Sequence, residues 1–166
     1  MKDLLDKISS YNLFNYLLPG IIFAYIAKLF TDYNFIQDND FIGAFLYYFI
    51  GMVISRFGSL CIEPFLKWVS FLKFADYRSF VAASKKDEKI DLFSEVNNTY
   101  RTISAMLILL LLLKIYNYFQ VLWSVPNIIS QLILVVLILL MFLFSYRKQT
   151  NYITKRIDAN NNTNNA

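Results

Sequence analysis

The sequence predicts an all-α polytopic membrane protein, with four transmembrane helices and a small helical cytoplasmic segment between helices two and three. Three observations carry this. Four stretches, 11–30, 41–60, 103–119 and 128–146, are apolar and long enough to cross a bilayer. A hydrocarbon core about 30 Å thick needs about 20 helical residues at about 1.5 Å each. The chain is 57% hydrophobic and 18% aromatic, whereas a soluble domain is nearer about 45–50% apolar and spaces those residues periodically. Lysine and arginine, finally, fill some connections and are missing from others.

The first residues carry Lys2 and Lys7 against Asp3 and Asp6. The span that follows is longer than a signal-peptide core and has no small-residue cleavage site after it, so a retained signal anchor is expected. Asn12 and Asn15 stand at i and i+3 before Leu17-Leu18-Pro19-Gly20. This gives span one a polar opening face, a candidate pore or cavity lining, and a kink or re-entry point at the proline. Lys28 is expected to snorkel to the outer surface, toward Asp32.

Span two carries Gly51, Ser55, Gly58 and Ser59 on one small-residue face, of the kind that lets membrane helices approach closely. Arg56 and Glu63 lie seven residues apart, nearly on one face of a continuous helix. Charges at this depth are costly. Two accounts stand: pairing of Arg56 with Glu63 between neighbouring helices or subunits, or snorkelling of Arg56 at the inner leaflet. On the first, Gly51, Ser55, Arg56, Gly58, Ser59 and Glu63 form a helix-packing and oligomer contact.

After Pro64, the residues Phe65, Trp68, Val69 and Leu72 follow an i, i+3, i+4, i+7 pattern beside Lys67 and Lys73. They predict an amphipathic helix, either lying in the headgroup layer or serving as a subunit contact. Asp76 is a candidate N-cap for a short helix over 77–85. Asp87 is a candidate cap for a longer one that meets no proline or glycine before Trp123, so one rod should leave the membrane and continue as span three. Arg78, Lys85, Lys86 and Lys89 lie in this segment. They make either a solvated junction near anionic lipid or a contact for a phosphate-bearing ligand or cytosolic partner.

In span three, Lys114 follows eleven uncharged residues. It either snorkels outward past Tyr116 and Tyr118 or faces a wet cavity or pore. Ser130 and Gln131 open span four. The asparagine-rich end, 158–166, is expected to be disordered. Four segments result: an N-terminal transmembrane hairpin (1–63), a cytoplasmic helical segment (64–102), a C-terminal transmembrane hairpin (103–148) and a largely disordered cytoplasmic tail (149–166).

Orientation follows from the basic residues. The connection 31–40 holds Asp32, Asp38 and Asp40 and no cation, and 124–127 has no charge. The segment 61–102 holds Lys67, Lys73, Arg78, Lys85, Lys86, Lys89 and Arg101, and the tail holds Arg147, Lys148, Lys155 and Arg156. Both termini and the central segment are therefore expected in the cytoplasm.

The chain has no histidine, one cysteine (Cys61) and four well-separated glycines. Zinc, haem and iron–sulfur sites, histidine-based catalysis and glycine-rich phosphate loops are excluded on those grounds. No catalytic, cofactor or metal site is expected, nor sequence-specific nucleic-acid binding. A proton-coupled exporter is set aside because 11–30 contains no acidic residue. Two readings stand. One is a homo-oligomeric effector that forms or gates a pore, since a single short chain supplies no ring of polar groups. The other is a non-conducting scaffold or sensor that recruits or regulates a cytosolic partner.

The phrases Tyr11-Asn-Leu-Phe-Asn-Tyr-Leu-Leu-Pro-Gly-Ile-Ile-Phe23, Gly51-Met-Val-Ile-Ser-Arg-Phe-Gly-Ser59 and Ser94-Glu-Val-Asn-Asn-Thr-Tyr-Arg-Thr102 resemble a group of small bacterial inner-membrane proteins found among anti-phage defence genes. The functional analogy is to the membrane effectors paired with nucleotidyltransferases in the Hailong and CBASS systems. That resemblance implies an inner-membrane location, antiviral defence, pore formation or membrane disruption, and a nucleotide regulator. The chain shows no appended nucleotide-sensing domain, and the resemblance supplies no site residue.

Overall fold

A computed structural model describes residues 13–164, with side chains as far as residue 160. Asn12 lies outside the described residues. Five helices occur among those described: α1 (Leu13–Phe30), α2 (Asp40–Trp68), α3 (Tyr77–Ser84), α4 (Lys89–Leu122) and α5 (Asn127–Asn164). Helices α1, α2, α4 and α5 are long and apolar enough to cross a bilayer.

Helix α1 folds back on α2 as an antiparallel hairpin. At their crossing the backbones touch. A Cβ built at Gly20 would stand 1.8 Å from the Tyr47 carbonyl oxygen, and one at Gly51 would stand 1.7 Å from that of Tyr16. The small-residue surface of span two is thus used inside the chain: Gly51 against α1, Ser55 and Gly58 against α4, and Ser59 against α5. Helix α4 enters the groove behind this hairpin. Its Thr102 meets Asn15 of α1 and Ser55 of α2, while its Asn117 meets Asp32 at the other end. The apolar core between α2 and α4 consists of Ile54, Ile62, Ala105 and Met106.

Helix α5 packs along the edge of α2, with Phe142 stacked near Phe49 at 6.1 Å between ring centres. Its most apolar 18-residue stretch has a mean hydropathy of 2.9 and is exposed on the surface of the molecule. Leu132, Val135, Leu139 and Leu143 are all more than half exposed. An apolar surface of that extent requires lipid or protein around it rather than water.

Both internal π-helical segments end two residues before a proline: Leu13–Leu17 before Pro19 and Gly58–Ile62 before Pro64. A π turn widens the register to i→i+5, and the Glu63 amide accordingly donates to the Gly58 carbonyl. The widened turn carries the chain through Pro64 without a break. Phe65 and Trp68 therefore belong to the end of α2, not to the separate amphipathic helix expected over 65–72.

Helix α2 stops in a Schellman turn. Ser70 adopts φ 59°, its amide donates to Lys67 O, and that of Phe71 donates to Leu66 O. Helix α4 stops in the same way at Ser124, φ 49°, with Val125 donating to Gln120 O before Pro126. The Asp76 carboxylate accepts the Ser79 amide at 3.1 Å and starts α3, and this bond holds its pKa below the ordinary value.

Helix α4 has 34 residues and α5 has 38. At about 1.5 Å per residue these are rods of about 51 and 57 Å, well beyond a core of about 30 Å. The continuous rod expected from Asp87 to Trp123 is present as α4. The tail departs from expectation, because α5 stays helical through Asn164. Its extension is supported from the side by α3, through the ring pair Tyr77–Tyr152 at 6.1 Å and the bond from Lys85 Nζ to Asn160 Oδ1 at 3.0 Å. Composition alone hides that support.

Replacing Gly51 with alanine should cost at least about 1–3 kcal/mol, because helix backbone rather than a mobile side chain occupies the space. Gly43→Ala is the control, since its Cβ would meet only the Tyr47 ring at 3.2 Å. Thermal unfolding in detergent should show a clear loss for the first and little change for the second.

Candidate functional site

Polar side chains gather at the end of the bundle where α2 leaves it, in two layers joined by α4. The deeper layer is uncharged. Thr102 is fully buried, as are Asn15 and Ser55 to within 1% exposure. The Thr102 hydroxyl reaches three oxygens: Asn15 Oδ1 at 3.0 Å, the Asn98 carbonyl at 2.9 Å and Ser55 Oγ at 3.4 Å. Its single proton serves them in turn, and the contacts tie α1, α2 and α4 together. Asn15 lies within the π segment Leu13–Leu17 and is buried against α4.

The outer layer is charged and centres on Glu63, only 7% exposed. Lys67 Nζ lies 2.9 Å from Oε1, Arg101 Nη1 2.8 Å from Oε2, and Lys148 Nζ 3.7 Å from Oε1. These three cations come from α2, α4 and α5. They form every salt bridge among the described residues.

Local sequence explains how two of them arrive. Gly58 leaves room for the Arg101 stem, since a Cβ there would meet Arg101 Cγ at 3.2 Å and Ala105 Cβ at 3.1 Å. Lys148 is held by Ser59, whose carbonyl and hydroxyl oxygens accept from Nζ at 2.7 and 2.8 Å. That carbonyl is available for a physical reason. In the π register its donor would be the amide of residue 64, and proline has none. Pro64 thus frees the acceptor that seats α5.

Arg56 does not pair with Glu63. Its Nη2 donates to the Tyr16 hydroxyl at 3.2 Å, and Tyr16 packs edge-on against Tyr48 at 5.5 Å. Two ordinary α turns would keep Arg56 and Glu63 near one face, but the π turn Gly58–Ile62 between them shifts the register, and the carboxylate meets α4 and α5 instead. Gly51, Ser55, Gly58 and Glu63 are buried inside the chain and Ser59 is bonded to Lys148, so the residues expected at an oligomer contact are engaged within one molecule.

The opposite end closes with neutral polar bonds. Asn117 Oδ1 accepts the Asp32 amide and its Nδ2 donates to Asp32 Oδ2, both at 3.0 Å. The Tyr33 hydroxyl donates to Gln120 Oε1. Burial, with Tyr116 and Asp32 nearby, pushes that phenol above its ordinary pKa and keeps the proton in place. Gln120 Nε2 continues to Asn127 Oδ1 at 2.9 Å, and the Tyr116 hydroxyl donates to Ser130 Oγ at 2.8 Å.

Lys114 Nζ donates to the Phe30 carbonyl at 2.5 Å, placing a cation on the C-terminal end of α1. It also borders an open hollow of about 290 Å³ with Asn117, Tyr118, Val121 and Leu122. Its side chain is exposed and bonded to α1. Arg78, Lys85, Lys86 and Lys89 are all exposed along α3 and the start of α4; of these, Lys85 is bonded to α5.

Among the residues missed at sequence level are Arg101, Lys148 and Thr102. The charged pair is visible only as basic residues near span ends. Nothing in the spacing shows that both converge on Glu63.

No group of histidine, cysteine, aspartate or glutamate among the described residues is placed to hold a metal ion. The fold defines the chain as a multi-span helical membrane protein. No family model, curated protein or solved structure matches it.

Replacing Thr102 with valine keeps the shape but leaves Asn15 and Ser55 without this buried partner, which should cost about 1–3 kcal/mol. Thr150→Val, at an exposed hydroxyl bonded only to the Tyr146 carbonyl, should stay within about 0.5 kcal/mol. Unfolding midpoints in detergent compare the two.

Proposed function

We propose that the chain is an effector of the bacterial inner membrane that works as a homo-oligomer and forms or gates a pore, in anti-phage defence. Both termini and the connection bearing α3 lie in the cytoplasm. The observation that carries this reading is the pair of rods α4 and α5. Each is long enough to cross the bilayer and stand about 20 Å beyond it, and Glu63 joins them to α2. A cytosolic event acting on the projecting part, whether through a protein partner or a nucleotide, then reaches the spans through rigid helix and not through a flexible linker.

Three further points support it. The cations Lys67, Lys73, Arg78, Lys85, Lys86 and Lys89 sit on one side of the spans with Arg147 and Lys148, opposite Asp32, Asp38 and Asp40, as expected for cytoplasmic placement of the basic side. The largely exposed spanning part of α5 leaves an apolar surface for other copies. The resemblance to membrane effectors of defence systems supplies the biological setting.

A second reading, a non-conducting scaffold that recruits or regulates a cytosolic partner, is favoured by one specific observation. Asn15 and Lys114, the candidate pore groups within the described residues, are each bonded inside the chain.

Reconstitution separates the readings. Protein purified in mild detergent should have a native mass that is a multiple of 19.5 kDa, and it should give discrete current steps in planar bilayers. A 19.5 kDa monomer that leaves the bilayer silent would contradict the effector reading and leave the scaffold.

A further inference from the structure

We propose that the basic end of the bundle holds the headgroup phosphate of an anionic phospholipid against Lys67, Arg101 and Lys148. This rests on the membrane reading and is independent of pore formation.

The first argument is charge. Three cations surround one carboxylate, and no second acid forms an ion pair with any of them among the described residues. Glu63 therefore leaves a surplus of two positive charges. Cations crowded at a protein–lipid boundary repel one another in a medium less polar than water, so an anion brought among them removes that repulsion.

The second argument is access, because the three side chains are only partly enclosed by these contacts. Glu63 takes Nη1 of Arg101, while the Arg101 Nε is buried and makes no hydrogen bond within the described residues. Lys148 spends its contacts on Ser59 and Glu63, and Lys67 rests 4.0 Å over the Phe74 ring. The three side chains remain 42%, 22% and 26% exposed for Lys67, Arg101 and Lys148, so a ligand at the surface can reach them.

The third argument is depth. Phe65, Trp68 and Phe71 beside the cluster are 56%, 79% and 75% exposed. Aromatic rings displayed in this way favour the headgroup zone. At that level the phosphates of the bilayer are the abundant anions, and basic pockets between membrane helices on the cytoplasmic side bind acidic headgroups. Phosphate also suits the fork of a guanidinium.

Native mass spectrometry of delipidated protein titrated with phosphatidylglycerol or phosphatidylcholine tests the proposal. Phosphatidylglycerol should be retained preferentially, and excess inorganic phosphate should leave it bound. Lys67→Gln and Arg101→Gln should each weaken retention about fivefold, the factor for one basic residue at an anionic surface. The double variant Lys85→Gln with Lys86→Gln, which removes more charge from the exposed junction, should change it less. Lys67 is exposed enough that its variant should fold, and a monodisperse elution profile verifies this.

Equal retention of the two lipids, or equal retention across the variants, would overturn the proposal. Displacement by inorganic phosphate would assign the cluster to a free phosphate ligand and overturn the lipid source. A protein that stayed monodisperse without detergent and took up neither lipid would overturn the membrane reading as well, which separates that failure from loss of lipid preference alone.

Discussion

The carboxylate of Glu63 sets the arrangement at one end of the bundle. A buried charge is tolerated only where partners compensate its lost hydration. Glu63 therefore obliges α2, α4 and α5 to meet where Lys67, Arg101 and Lys148 can all reach it. The three contacts are unequal. Lys67 is an i,i+4 neighbour with a largely exposed side chain, a type worth less than about 1 kcal/mol. Arg101 is closer and more enclosed, and removing one member of such a pair costs about 3–5 kcal/mol. Lys148 stands farther from the carboxylate but is fastened to Ser59. The π turn before Pro64 makes that fastening available, so a local backbone irregularity becomes a tertiary joint.

This joint lies between the two long rods and the helix they pack on. Above it stand the extensions of α4 and α5, braced by α3. Beyond it the bundle is held by glycine contacts between α1 and α2, by the Thr102 triad, and by neutral bonds around Asn117 and Gln120. Helix α5 is different. It meets the rest through Asn127 and Ser130 at its start, through Phe142 and Lys148, and through its extension, while much of the face between is open. A helix held at few points is the element free to take up new neighbours, and the effector reading uses it in that way.

Much of the architecture was readable from residues alone. The four apolar runs fix helix existence because a backbone in lipid must bond internally, and continuous runs of about 20 apolar residues have the length of a spanning helix and not of a barrel strand. The absence of glycine and proline between Asp87 and Trp123 gives the rod, and Asp76 marks the start of α3. What escaped reading has physical reasons. The small-residue face of span two signals close approach but does not name the partner, and α1, α4 and α5 share it within the chain. Arg56 and Glu63 share a face by periodicity, yet partner choice is made by helices distant in sequence, through Tyr16, Arg101 and Lys148. Lys114 is exposed as its sequence suggests, but its bond to the Phe30 carbonyl, 84 residues away, is not legible from spacing. The asparagine-rich tail has a disordered composition, and its helicity comes from contacts with α3.

The coupling between Glu63 and Arg101 decides whether the charged joint organises the fold. A double-mutant cycle of Glu63→Gln and Arg101→Gln, followed by thermal unfolding in detergent, should give an interaction energy of about 1–3 kcal/mol. The parallel cycle with Lys67→Gln should give less than about 1 kcal/mol. Additive effects of the Glu63 and Arg101 substitutions would show that the two side chains do not act on each other, and the account of this joint would fail.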